Sequence, residues 1–262
     1  MTIPLSVRLK FNRAQEHLDN LAGEIASYLD REPYKLVYNV QPSDQHLVLI
    51  EFHVVTKPDE RLGIILGDYL HNLRSALDHL ICRLVERTGG KVTQGTQFPI
   101  FDSPPKDRRG QRSPLRINGG VDPNVLALVE SLQPYTRGEG ALSHPLSILR
   151  HLSNADKHQL LHVVHAGLIG HGCRLHLPNG TVLDPEPGIG AAHHETPIAA
   201  FRFPEPFDVA LYGKVQVEAG GSAFVALKEP EALEDRPVTE LLDEISRFVW
   251  NTVIAGLHPF LD

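Results

Sequence analysis

Residues 62–84, LGIILGDYLHNLRSALDHLICRL, contain the pattern that decides the fold. Apolar residues recur there every three or four positions, at Leu62, Leu66, Tyr69, Leu73, Leu77, Leu80 and Leu84. One apolar stripe with a period near 3.6 residues is typical of a helix that packs against a core. Gly89 and Gly90 are expected to end this helix. The sequence therefore predicts a long helix from about Pro58 to Arg87.

Similar patterns predict helices on both sides of this stretch. A first helix is predicted from an apolar seam near the start of the chain, formed by Val7, Phe11, Ala14, Leu18, Leu21, Ile25 and Tyr28. Asp122 followed by Pro123 is typical of a helix start. We also expect a helix over Leu142–Leu168, with a break where Ser153 to Asp156 resemble a capping box, and a last helix over Val238–Leu257.

Short segments of alternating or β-branched residues predict strands. Tyr34–Val40 and Leu47–Val55 predict a β-hairpin, and the Asn–Gly pair in LHLPNGTVL (175–183) predicts another. We expect an α+β fold, mainly a helical bundle with an N-terminal β-hairpin and a small antiparallel β portion. The expected organisation is a bundle with a hairpin insertion over 1–170, the β portion over 171–230, and a C-terminal helix over 231–262 that packs back on the bundle, all in one structural unit.

The composition excludes several classes of protein. With 42% hydrophobic and 22% charged residues in 262, the chain is neither disordered nor of low complexity. A net charge of -7 gives no chain-wide attraction to nucleic acid or anionic membranes, so such binding needs a local basic patch. Because no run approaches about 18 apolar residues, we expect a cytoplasmic protein without a membrane partner. Cys82 and Cys173 are far apart and are expected to be free thiols.

A polar face lies opposite the leucine stripe of the second helix. At about 100° per residue, His71, Arg74, Ser75 and Asp78 gather on it, and Arg74 and Asp78 are spaced to form an ion pair. This face has no Lys or Glu, the residues that favour a plain solvated helix. A solvated or inter-helix polar face and a functional site are both open interpretations.

The same helix resembles that of HEPN domains, the nucleotide-binding helical bundles of many prokaryotic toxins and defence ribonucleases. Arg74 and His79 fit the R-x4–6-H pattern of these domains. GDYLHNLRSALDHL (67–80), with TQFPIF (96–101), SLQPY (131–135) and LSNADKH (152–158), also resembles a recurrent uncharacterised bacterial family of actinobacterial type, over roughly residues 5–168.

The resemblance implies RNA cleavage that needs no metal or other cofactor. His79 would transfer the proton of the attacking 2′-hydroxyl or of the leaving oxygen, Arg74 would hold the scissile phosphate, and Asp78 would belong to the same site. A homodimer is implied, because two such helices form the HEPN active site across a dimer. Further candidates at the site are His71, Asn72, Asn154, Asp156, Lys157 and His158.

Asp156 has two interpretations. It caps a helix after Ser153, or it meets a buried partner such as Arg74 or His71. The second interpretation would join Arg74, Asp156 and His158 in one site.

A basic loop follows the TQFPIF segment. Residues 102–120, DSPPKDRRGQRSPLRINGG, contain five basic and two acidic side chains. The candidates for nucleic-acid binding are Lys106, Arg108, Arg109, Arg112 and Arg116. A mobile, solvated loop is the alternative.

A histidine pattern supports a different function. On a continuous helix, His151, His158, His162 and His165 share one face, and His158 and His162 lie one turn apart, a spacing that can chelate Zn or Fe. This alternative is a metal-dependent enzyme acting on a small molecule. A third hypothesis is a non-catalytic, dimeric interaction module whose polar helix face is the dimer interface.

Overall fold

The α+β fold is confirmed by a computed structural model, which describes residues 2–158, 160–161, 163–169, 173–186, 196–208, 210, 214–219, 222–228 and 236–261. The helices are α1 (Leu5–Leu29), α2 (Arg61–Arg87), α3 (Pro123–Ser131), α4 (Pro145–Asp156) and α5 (Val238–Phe248), with a 3₁₀ segment at Pro134–Ala141. The strands are β1 (Tyr34–Gln41), β2 (Asp44–Val54), β3 (Val163–Ile169), β4 (Cys173–His176), β5 (Val182–Leu183), β6 (Thr196–Arg202), β7 (Gln216–Ala219) and β8 (Ser222–Leu227). The chain divides into two compact units.

The helical unit comprises Met1–Ala22, Gly63–Leu161 and Thr239–Asp262. The predicted apolar stripes of α1 and α2 are confirmed, since all of their residues are buried. As expected, α2 ends at the glycines: Gly89 has a φ of +74°, and the Gly90 N–H donates to the carbonyl of Val85 at 3.0 Å. These two long helices provide the frame on which the polar site is built.

The C-terminal helix is joined to α1 and α2 by a buried hydrogen-bond network. After α5, the helix continues through a π-helical segment (Val249–Ile254) and one further helical turn. Tyr69 of α2 donates to the carbonyl of Leu242 at 2.7 Å and lies 2.8 Å from the Ser246 hydroxyl. Gln15 of α1 also donates to Ser246, at 2.8 Å. Each polar side chain in this network has a hydrogen-bond partner, as a packed core requires.

The β unit comprises Gly23–Leu62 and His162–Val238. Its antiparallel ladders have the orders β1-β2-β6, β3-β8 and β5-β4-β7. Both predicted hairpins are present, and Gly180 has the positive φ, +84°, that the Asn–Gly turn favours. The N-terminal hairpin pairs through β2 with β6, so it is packed with the later strands.

The predicted helix over Leu142–Leu168 is wrong in its second half. α4 begins after His144, whose Nδ1 accepts the N–H of Leu146 at 3.2 Å, and it ends at Asp156. Val163–Ile169 forms strand β3 and pairs with β8. The β-branched pair Val163–Val164 and the glycine at 167 are weak helix formers, so the ladder with β8 determines the conformation. Ser153 is buried inside α4 and starts no new helix.

None of the helices in the described ranges has a stretch that is both long enough and apolar enough to cross a membrane.

Candidate functional site

Arg74 and Asp78 form the predicted ion pair, and together they hold the backbone of Phe98. The Arg74 Nη2 atom lies 3.6 Å from Asp78 Oδ1. Asp78 Oδ1 accepts the N–H of Phe98 at 2.9 Å, and Arg74 Nη2 donates to the carbonyl of the same residue. One residue of the TQFPIF segment is thus bound through both of its backbone polar groups.

Burial dominates the electrostatics of this pair. It raises the pKa of the Asp78 carboxyl, although Arg74, the Phe98 N–H, His79 and Lys157 all act in the opposite direction. It also lowers the pKa of Arg74, opposed by Asp78 and reinforced by the positive charge of Arg150. The second terminal nitrogen of Arg74, Nη1, is buried without a hydrogen-bond partner in the described structure. Such an unpaired buried group costs free energy.

The segment that follows Phe98 is bound by Gln133 of the SLQPY segment. Gln133 is fully buried; its side-chain amide donates to the carbonyl of Pro99 at 2.9 Å, and its Oε1 accepts the N–H of Phe101 at 3.0 Å. The extended segment lacks a strand partner for these groups, and side chains satisfy them instead. The TQFPIF and SLQPY segments therefore meet beside α2, for a structural reason that their sequences alone do not reveal.

Asp102, at the end of this segment, binds two neighbouring residues of α4. Its Oδ2 atom accepts from Arg150 Nη1, and His151 Nε2 lies 2.8 Å from the same oxygen. The Asp102 side chain is only 18% exposed, whereas that of His151 is 46% exposed. Sequence reasoning missed Asp102 and Arg150, and it considered His151 only in the histidine pattern. The residues are 49 positions apart, so no local spacing could have indicated the contact.

Three cations lie among the carboxylates where α2 and α4 approach each other. We define the cation cluster as Arg74, Arg150 and Lys157. Arg74 and Lys157 act on the charge of Asp78, and Arg150 binds Asp102. Two histidines add to this polar group: His151, bound to Asp102, and His79, which affects the charge of Asp78 and makes no hydrogen bond within the described part of the chain. The structure therefore brings together three cationic side chains, although the chain as a whole is acidic.

Asp156 lies against the backbone of α2, away from the Arg74 pair. A Cβ atom added to Gly67 would be 2.4 Å from Asp156 Oδ1, so a larger residue there would displace this carboxylate. Burial, and next the charge of Asp68, raises the pKa of Asp156, while His71 lowers it. The capping interpretation is wrong, because Asp156 is the last residue of α4. Of the two partners considered, His71 is an electrostatic neighbour, and no hydrogen bond joins Asp156 to Arg74 within the described residues.

The remaining candidates have simpler surroundings. Asn72 is buried, donates to the carbonyl of Asp68 at 2.8 Å and accepts from the Lys10 ammonium at 3.3 Å, so it links α1 and α2. Lys157 and Asn154 are exposed and are hydrogen-bonded to each other at 3.3 Å. His158 is exposed on the turn after α4. Asn72 thus has a structural role, whereas the other three are accessible from solvent.

The basic loop contains an ordered turn. The carboxylate of Asp107 accepts the N–H groups of Arg109 and Gln111, and Lys106 and Arg112 form an antiparallel bridge. All five candidate residues of this loop are exposed, namely Lys106, Arg108, Arg109, Arg112 and Arg116. The loop begins at Asp102, which binds Arg150 of the cation cluster.

The helix that was expected to carry the metal-binding histidines ends before His158. Because α4 ends at Asp156, His158 lies on a turn and His165 on strand β3. His162 lies outside the described residues. Within the described ranges, no group of three or more His, Cys, Asp or Glu side chains could hold a metal ion.

Comparison of the chain with protein-family models, with curated proteins and with solved structures finds no match.

Proposed function

We propose that the protein binds RNA and cleaves it without a metal ion, as a HEPN-like endoribonuclease. The observation that carries this proposal is the cation cluster, whose three cations lie near Asp78, Asp102 and two histidines. A phosphodiester is the anion that such a site suits, because guanidinium groups bind phosphate oxygens through charge-assisted hydrogen bonds. The Arg74-x4-His79 resemblance supports the same activity.

The accessible members of the site would contact the substrate. Arg74 already binds Phe98, and its free nitrogen is buried. It would therefore attract the phosphate through its charge, without a direct hydrogen bond. Arg150 and Lys157 are more exposed and would contact phosphate oxygens directly. The basic loop would bind neighbouring phosphates of the same strand, a role in which sequence is not read.

His79 would be one of the two proton-transfer groups. Attack of a ribose 2′-oxygen on the adjacent phosphorus forms a P–O2′ bond and breaks the P–O5′ bond. The 2′-hydroxyl loses a proton and the 5′-oxygen gains one, so the products are a 2′,3′-cyclic phosphate and a 5′-hydroxyl. No oxidant, reductant or metal is needed for this balance. The proposal includes a homodimer, which light scattering of the purified protein would measure.

Cleavage of mixed RNA in EDTA at neutral pH tests the proposal. Wild type should release fragments with 2′,3′-cyclic phosphate ends, and His79→Asn should be slower by about 10²–10⁴-fold, the usual contribution of general acid–base catalysis. Circular dichroism should show that the variant is folded, since His79 makes no hydrogen bond in the described structure. Uncleaved RNA with folded wild type would contradict the proposal.

A further inference from the structure

We propose that His151, oriented by Asp102, is the general base of the RNA-cleaving site. This inference rests on the proposed function and assigns a second catalytic residue to it. It starts from the contact between His151 Nε2 and Asp102 Oδ2, at 2.8 Å. In a neutral imidazole, donation from Nε2 to a carboxylate, which can only accept hydrogen bonds, leaves a lone pair on Nδ1. A histidine whose tautomer is held by a carboxylate is the arrangement that makes imidazole an effective base.

Arg150 supports this arrangement. It donates to the same oxygen of Asp102, which keeps the carboxylate in one orientation while His151 remains nearly half exposed. Asp102 is a positioning residue, because its side chain is largely covered and acts through the imidazole. By contrast, a contact that merely anchored the basic loop would not require a partly exposed imidazole next to a guanidinium.

The two histidines lie beside the two ends of one short segment of the chain. His79 follows Asp78, which binds the N–H of Phe98, and His151 binds Asp102. Phe98 and Asp102 are four residues apart, so their Cα atoms are at most about 14 Å apart. The charge of Arg150 is felt at Arg74, which places this part of α4 beside α2.

The division of roles follows from the hydrogen bonds. His151 would accept the proton of the 2′-hydroxyl at Nδ1 as the P–O2′ bond forms. His79, which has no carboxylate fixing its tautomer in the described structure, would donate a proton to the 5′-oxygen as the P–O5′ bond breaks. The cyclic phosphate is released, and solvent then returns the two histidines to their starting protonation states.

The experiment compares wild type and four variants on two RNA substrates. The variants are His151→Ala, His151→Gln and His79→Ala, and the control is His176→Asn. His176 lies 2.8 Å from Glu218 in the β unit and is about as exposed as His151, although Glu218 is far more exposed than Asp102. One substrate is ordinary RNA, and the other carries sulfur at the bridging 5′ position, whose leaving thiolate needs no general acid.

We expect His151→Ala to lower kcat by about 10²–10⁴-fold on both substrates and to lose the acidic limb of the pH–rate profile. Free imidazole should partly restore its activity. His151→Gln keeps a donor for Asp102, so it should be as stable as wild type yet equally inactive. The activity of His79→Ala should be restored on the sulfur substrate, and His176→Asn should be as active as wild type on both substrates.

Each contrary result is distinct. If wild type cleaves RNA and His151→Gln remains as active as His176→Asn, His151 is not catalytic and the proposed function still stands. If the sulfur substrate restores His151→Ala and not His79→Ala, the assignment of base and acid is overturned. If folded wild type cleaves neither substrate, the proposed function and this inference both fail.

Discussion

Removal of the Asp78 carboxylate is expected to destabilise the helical unit far more than removal of an ordinary surface charge. Asp78→Ala leaves the Phe98 N–H without its acceptor and deprives Arg74 of the carboxylate beside it. Both side chains are largely covered, with 20% of Arg74 and 30% of Asp78 exposed, so water replaces the lost contacts only in part.

The magnitude follows from the two lost interactions. A hydrogen bond to a charged group contributes about 1.5–3 kcal/mol, and an orphaned buried amide costs about 1–3 kcal/mol. Because the groups are partly exposed and share one carboxylate, we expect a loss of about 2–4 kcal/mol for Asp78→Ala. Asp78→Asn keeps an oxygen that can accept from Phe98, and it should lose about 1–2 kcal/mol.

Urea unfolding followed by circular dichroism measures these differences. Asp243→Ala is the matched control, since Asp243 and Arg247 are also four residues apart on a helix, at 2.8 Å, but both are at least half exposed. The control should lose less than about 0.5 kcal/mol. If Asp78→Ala were no more destabilising than Asp243→Ala, the described role of the Arg74–Asp78 pair would be refuted.

Three further predictions concern neighbouring features. Gly63→Ala should lower the free energy of unfolding by about 1–3 kcal/mol, because its Cβ would lie 2.4 Å from the Leu161 carbonyl oxygen. The control is Gly23→Ala, whose Cβ would have no atom within 4 Å. It should raise the free energy of unfolding by about 0.5–1 kcal/mol. The raised pKa of Asp156 means that its ionisation costs the folded state. Urea unfolding of Asp156→Asn should therefore show a gain of about 0.5 kcal/mol near pH 7 that disappears below about pH 3, where both states are protonated; a gain unchanged at pH 3 would contradict this. Asp107→Ala should speed tryptic cleavage within the basic loop several-fold, since Asp107 holds its turn, and equal rates on a gel would show that it does not.

Local periodicity explains why much of the fold could be predicted. The stripes of α1 and α2 each repeat over seven apolar positions. The start of α3 is predicted by just two adjacent residues, Asp122 and Pro123. Residues 163–169 lack such a signal, because a short apolar run fits a buried helix as well as a strand. Only pairing with β8, more than 50 residues later, decides between them.

The candidate site shows the same division between local and long-range information. The Arg74–Asp78 pair could be predicted because four residues make one helical turn. The attachment of both side chains to Phe98, and that of Asp102 to Arg150 and His151, depends on how separate segments pack. The sequence thus identifies the helix that carries the site, while the roles of Phe98, Asp102 and Arg150 become evident only in the structure.

RNA binding at the cation cluster is tested most directly by the salt dependence of affinity for a 2′-O-methyl RNA, which this chemistry cannot cleave. Each phosphate contact contributes about 0.7 to the slope of log affinity against log salt for a single strand. Lys157→Gln and Arg150→Gln should each reduce the slope by about 0.7, whereas Arg247→Gln, exposed elsewhere on the helical unit, should leave it unchanged. Equal slopes for all three variants and wild type would contradict binding at this site.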